Sequence, residues 1–314
     1  MSFIVYLCKV EYCYVAIGVI VVDYLIVCNI GSDNLSGINL KAFKEEKRIA
    51  LNSSCCKVGP HGLCPWKNGV IAANSYSSSI SIVDVLGTTG IEEHYIGGNC
   101  NDVAVYKDNA YITCGECNNI VVFDIKSGRI TEEIPGGNLP HCVDINDELG
   151  IMVVTNMESD SISVIDCISH EVIKVISVGS YPTKAIFSKD NKSIVVCESH
   201  LGSDGDGYIN IISTDTLMSD KKVRAGRNPI DIFCEDDMCY TANFSEGEIS
   251  FIYLDEMEIV KKISVGGMPR TVIKKGRFLY IGDNYGSQII RYDVFNDKKQ
   301  VTAIGKEPIA MTLI

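Results

Sequence analysis

A formal net charge of −12 spread over 314 residues argues against a nucleic-acid partner, because binding phosphates requires a net basic face. The 14 cysteines are scattered, and Cys28, Cys64, Cys142, Cys197, Cys234 and Cys239 fall inside apolar strand patterns. A short disulfide scaffold is thereby excluded, and buried free thiols in a reducing compartment, the cytoplasm, are expected.

In chain order, residues 1–22 come first and are strongly apolar. Lys9, Glu11 and Asp23 break the run, so it offers no clean span of the roughly 20 apolar residues a membrane helix needs. No small-residue cleavage site follows it. Residues 1–22 are therefore expected to be an extension outside the fold, with no membrane partner. The alternative is a chain exported or membrane-anchored through these same residues.

From residue 23 to 314 one pattern returns seven times. Two short strands end on polar landmarks ten residues apart at Asn29/Asn39, Asn74/Asp84, Cys114/Asp124, Asn156/Asp166, Asn243/Tyr253 and Asp283/Asp293. The remaining unit, with landmarks Glu198 and Ser213, carries five extra residues. A second landmark is a Gly-rich turn ending in proline at Pro60, Pro140, Pro182, Pro229, Pro269 and Pro308, with Cys100 in the missing slot. Three residues after each slot stands an apolar side chain: Leu63, Val103, Val143, Ala185, Ile232, Val272 and Met311. Each unit reads as four short antiparallel strands, a to d, separated by turn residues. The polar landmarks are expected to accept hydrogen bonds from turn backbone about two residues on.

The ends of the repeat complement each other. The first unit has strands b, c and d (Tyr24 to Asn29, Leu35 to Leu40, Arg48 to Leu51) and no strand a, while an orphan strand a, Pro308 to Ile314, closes the chain. The expected fold is all-β: a seven-bladed β-propeller of four-stranded antiparallel blades, closed by the C-terminal strand joining the N-terminal three. Radial repetition of this kind buries both faces of each sheet and leaves no long exposed edge.

The strings "VVTNMESDSISVIDCISHEVIKVISVGSYPTKAIFSKDN" and "YTANFSEGEISFIYLDEMEIVKKISVGGMPRTV" resemble the YVTN-repeat, YncE-like β-propeller family. The resemblance runs over roughly residues 23 to 314 and implies a seven-bladed ring. Related propellers include lactonases and a haem d1-binding domain, and no residue set diagnostic of either activity is present.

Strand alternation puts the d–a turns and the b–c loops on one face, around the mouth of the central channel. The residue after each slot is His61, Asn101, His141, Thr183, Ile230, Arg270 or Ile309. The enlarged b–c loop adds His200, Asp204 and Asp206 to that face. His61, Asn101, His141, Arg270, His200, Asp204 and Asp206 are the candidate ligand-binding residues. Histidine there suits a metal or a proton relay, and Arg270 suits a carboxylate or phosphate. In the bland reading these histidines satisfy turn carbonyls. His61 and His141 stand two blades apart, a separation expected to keep one metal from reaching both.

Other motifs carry less. Cys114-Gly115-Glu116-Cys117 has no second pair at zinc spacing and no helix start to activate a thiol. Gly202 to Gly207, "GSDGDG", lacks the later glutamate and flanking helices of a calcium hand. Trp66 is read as packing. No catalytic residues and no cofactor are expected. The leading reading is a monomeric, non-enzymatic propeller that binds a protein, peptide or small molecule at the channel mouth. The alternative is a lactonase-like or metal-dependent hydrolase at the same place.

Overall fold

A computed structural model describes residues 23–51, 56–87 and 90–314. The expected extension, residues 1–22, lies outside them. The described residues form seven sheets of four antiparallel strands. Six blades use four consecutive strands. Blade 1 instead pairs the last strand, Pro308–Leu313, with Tyr24–Asn29, followed by Asn34–Asn39 and Lys44–Ala50. The closure read from the chain ends is thus the observed one. Among the described residues no helix is long and apolar enough to cross a membrane.

Burial grades outward across each blade. Strand b is enclosed on both faces, as in Tyr24–Asn29 and Gly69–Asn74. Strand d forms the rim and is largely exposed, as in Arg129–Pro135. The core is divided among the blade interfaces. Seven apolar clusters each bridge two neighbouring blades, for example Ile71, Ile80, Val103 and Ile112 between blades 2 and 3. A blade alone would expose both faces, so burial is available only to the assembled ring.

The polar landmarks divide into two kinds. Those at the end of strand c behave as expected: Asp166 accepts from the backbone N–H of Ile168 and Ser169 at 2.8 and 2.7 Å, and Asn39 from Lys41 and Ala42 at 3.0 Å. At the end of strand b the asparagines donate to strand c, whereas Glu198 and Asp283 accept from the backbone N–H groups of Gly179 and Met268. Asn156 Nδ2 reaches Ser161 and Ser163 at 3.2 and 3.0 Å, and Asn74 Nδ2 reaches Ser79 and Ser81 at 3.1 and 2.9 Å. The amide staples strand b to strand c. It also sits under the preceding Gly-rich turn: a Cβ on Gly137 would stand 2.7 Å from Asn156 Cγ. Glycine and asparagine therefore recur together for one steric reason.

Strand a lines the channel, and its entry is irregular in every blade. The register slips by one residue after Pro60, Cys100, Pro140, Pro182, Pro229, Pro269 and Pro308. A bulge of this kind re-aims a side chain. Its extra residue falls at His61, Asn101, His141, Thr183, Ile230, Arg270 and Ile309 in turn.

Candidate functional site

The seven re-aimed side chains all line one cavity of about 430 Å³ in the channel. They divide the wall by blade. Blades 2 to 5 present His61, Asn101, His141 and Thr183, and blades 6, 7 and 1 present Ile230, Arg270 and Ile309.

The polar half is tied together from blade to blade. His61 Nδ1 lies 2.7 Å from the Asn101 carbonyl oxygen, Asn101 Nδ2 donates to the Pro140 carbonyl at 3.1 Å, and His141 Nδ1 lies 2.9 Å from the Thr183 carbonyl oxygen. A carbonyl only accepts, so both imidazoles carry their proton on Nδ1 and present a bare Nε2 lone pair. Neither Nε2 has a hydrogen-bond partner among the described residues. The two rings stand edge to face with centroids 5.3 Å apart. Two blades of separation in sequence thus become ring contact, because the channel is narrow. Burial, then His141 and the charge of Arg270, lower the His61 pKa to about 3. Burial and Arg270 lower that of His141 to about 4.

Arg270 is half-buried and faces the same space. Its guanidinium lies 5.7 Å from the Phe244 ring centroid and has no hydrogen-bond or ion-pair partner among the described residues. Burial lowers its pKa, opposed by the Asp231 carboxylate. An arginine stays charged under such pressure, so the mouth holds one cation with no direct partner beside two neutral acceptors.

One residue further along strand a lies a charged layer that the sequence reading did not single out. Lys184 Nζ pairs with Asp231 at 3.1 Å, and Asp231 also accepts from Val272 N–H at 2.8 Å. Asp102 accepts from the N–H groups of Val103 and Val143 at 3.0 and 3.3 Å; burial raises its pKa while Lys184 opposes the rise. Deeper still, Asp144 accepts from Phe187 N–H at 2.8 Å, and burial raises its pKa to about 6. Counting two residues past each slot would have found Asp102, Lys184 and Asp231, three charges inside otherwise apolar strands. This layer links blades 3 to 7 beneath the mouth.

Removing its cation is expected to be costly. Lys184→Met strands Asp231 and Asp102, and because Lys184 is one-third exposed the loss is about 2 kcal/mol, below the range for fully buried pairs. Asp102 titrates above its unfolded value, so its penalty holds above the folded pKa and is relieved as pH falls through it. Urea melts should show the deficit at pH 7 and a smaller one as the pH is lowered into the acid range.

His200, Asp204 and Asp206 do not join this set. The His200 ring lies 6.0 Å from the Tyr208 ring, Asp204 is fully exposed 3.6 Å from Arg227, and Asp206 pairs with Arg224 at 2.7 Å. The insertion shares the mouth face, but part of it merely lengthens the hairpin Asp206–Ser213, and only Leu201 reaches the cavity. Cys114 is buried opposite Cys100 in the a–b register, while Cys117 is exposed. Among the described residues no three His, Cys, Asp or Glu side chains are grouped to hold a metal ion. Trp66 ends strand a of blade 2 and packs on the blade 2–3 cluster.

No family model matches the sequence, and no curated protein does. Solved structures do share the fold. A putative 6-phosphogluconolactonase from Bacteroides fragilis aligns with TM-score 0.74 and 17% identity, covering 95% of this chain and 99% of that one. Hydrazine synthase from Kuenenia stuttgartiensis gives 0.71 and 18%, covering 90% and 92%. A virginiamycin B lyase from Staphylococcus aureus gives 0.66 and 19%, covering 79% and 85%. At these identities the likeness concerns the fold alone.

Proposed function

We propose that this chain is a non-catalytic propeller of the YVTN-repeat kind that binds a small organic anion at its channel mouth. The supporting observation is Arg270, an unpaired guanidinium on the wall of a closed-sided cavity. A planar fork of donors suits a carboxylate or phosphate, and 430 Å³ falls in the range of small-ligand sites. Buried thiols such as Cys28, Cys142, Cys197 and Cys239 support a reducing, cytoplasmic setting. Calorimetric titration with cyclohexanecarboxylate and with inorganic phosphate tests the reading. At least one should bind, and Arg270→Gln should weaken it at least tenfold. Failure of phosphate and of every carboxylate tried, or equal binding by the variant, would overturn it.

A lactonase-like hydrolase is the second reading, favoured by two imidazoles and a guanidinium lining one cavity. The imidazole basicity weighs against it. A general base works best with a pKa near the working pH, and values of about 3 and about 4 leave His61 and His141 weak bases at pH 7. Their signals in proton NMR are expected to stay constant between pH 5 and 8. The unfolded chain takes up these two protons near pH 6.5, the folded chain only at about 4 and about 3. Their contribution to stability is therefore lost as pH falls through that window. Asp144, with a folded value of about 6, acts in the opposite sense over part of it.

A further inference from the structure

Resting on the anion-binding reading, we infer that the preferred ligand is a hydroxyl-bearing carboxylate, whose hydroxyl groups donate to the Nε2 atoms of His61 and His141 while its carboxylate engages Arg270. Both Nδ1 atoms are committed to main-chain carbonyls at 2.7 and 2.9 Å. What faces the ligand is a pair of acceptors that have no donor among the described residues. An acceptor without a donor is a cost once a ligand displaces the water that served it. An anion lacking donors would impose that cost twice and set its own lone pairs against two others. An ammonium donor at the imidazoles would be repelled by Arg270, whose charge already lowers both imidazole pKa values. Neutral hydroxyls meet both requirements. The opposite wall, with Ile230 and Ile309 beside Arg270 and Phe244 behind its guanidinium, accommodates the carbon skeleton.

The chain contains its own control. Asn101 occupies the same bulge position as the histidines and donates from Nδ2 to the Pro140 carbonyl at 3.1 Å. Asparagine at position 61 or 141 therefore keeps a donor for a main-chain carbonyl of the next blade and removes Nε2. The experiment compares quinate with cyclohexanecarboxylate, which share a ring and a carboxylate and differ in the hydroxyls. Titrations use the full chain and its His61→Asn and His141→Asn variants, with thermal melts confirming that each variant folds. Quinate should bind the unaltered chain at least tenfold more tightly than cyclohexanecarboxylate. Each asparagine should weaken quinate about 3–10-fold, the usual worth of one hydrogen bond, and should not weaken cyclohexanecarboxylate, which is relieved of one stranded acceptor. Cyclohexanecarboxylate binding as tightly as quinate would overturn the hydroxyl inference and leave the anion site standing. If neither acid binds, the inference fails, and if inorganic phosphate also fails the anion reading falls with it. Should the asparagine variants weaken both acids equally, the histidines shape the cavity without reading hydroxyls, and the inference fails on that count.

Discussion

Deleting residues 306–314 is expected to abolish the cooperative thermal transition, a loss of at least about 5 kcal/mol and comparable to the whole stability of an ordinary domain. The final strand supplies the fourth strand of blade 1. It pairs Leu25 with Leu313, Ile26 with Thr312, Val27 with Met311, Cys28 with Ala310 and Asn29 with Pro308. Further backbone bonds run from Tyr24 to Ile314 at 3.1 Å and from Gly31 to Lys306 at 3.1 Å. Met311 and Leu313 pack on the cluster between blades 7 and 1, and Ile309, Ala310 and Ile314 on the cluster between blades 1 and 2. Without this strand two of the seven interfaces lose packing, and the buried strand Tyr24–Asn29 presents a bare edge to the channel. An unpaired edge of that kind recruits other chains, so the truncated protein should aggregate. The seam has a second set of ties on its outer side. Arg291 donates to the Leu40 carbonyl at 2.9 Å and lies 4.3 Å from the Phe43 ring, Thr302 donates to the Phe43 carbonyl at 2.7 Å, and Lys275 pairs with Asp23 at 2.8 Å. These contacts are largely polar and bury little apolar surface, so they are not expected to substitute. Circular dichroism melts check this, and a synthetic peptide spanning residues 306–314 should restore a sharp transition in trans. A truncated chain that melts sharply within a few degrees of the full one would show that the outer ties suffice.

Legibility in the sequence followed burial. The ring, the blade count and the closing strand were readable because strand b is apolar throughout and recurs in register, as in Tyr24–Asn29 and Gly69–Asn74. The outer strands were harder. Strand d of blade 1 runs Lys44–Ala50, four residues ahead of the expected start, because "KEEKR" lies on the solvent edge and carries no apolar signal. At the mouth, the turn slots located His61, Asn101, His141 and Arg270 around one cavity. Two things were hidden. Register slips are invisible to strict alternation, so the second charged layer, Asp102, Lys184 and Asp231, escaped. Radius is invisible too: no spacing along the chain says how narrow the channel is, and so the contact between the His61 and His141 rings, with centroids 5.3 Å apart, could not be read. The enlarged loop misled for the opposite reason, since His200 lies against the Tyr208 ring and Asp204 and Asp206 face Arg227 and Arg224, leaving only Leu201 for the cavity.

The second large effect is expected from one methyl group at Gly69. This residue opens strand b of blade 2, opposite Trp66. A Cβ there would stand 1.9 Å from the Val83 carbonyl oxygen and 2.7 Å from the Val85 nitrogen. Both are backbone atoms and have no rotamer to escape into, so strand c must move as a body. Val83 and Val85 are buried in the cluster between blades 1 and 2, and moving them opens that interface. Gly69→Ala should therefore cost about 3–5 kcal/mol, in the range of the most disruptive core changes. Gly276 is the natural comparison. Its φ is +57° and nothing stands within 4 Å of a Cβ there, so Gly276→Ala carries only the left-handed backbone penalty of about 1–2 kcal/mol. Urea denaturation of the two variants separates steric collision from backbone strain. The consequence reaches the channel, because Gly69 and Trp66 close the hairpin whose other strand, Pro60–Trp66, carries His61. Anion titration should accordingly show Gly69→Ala weakened at the mouth even where the protein remains folded, and Gly276→Ala unchanged. Equal stabilities for the two variants would mean that strand c yields cheaply, and the view of the blades as rigid supports for the channel wall would have to be abandoned.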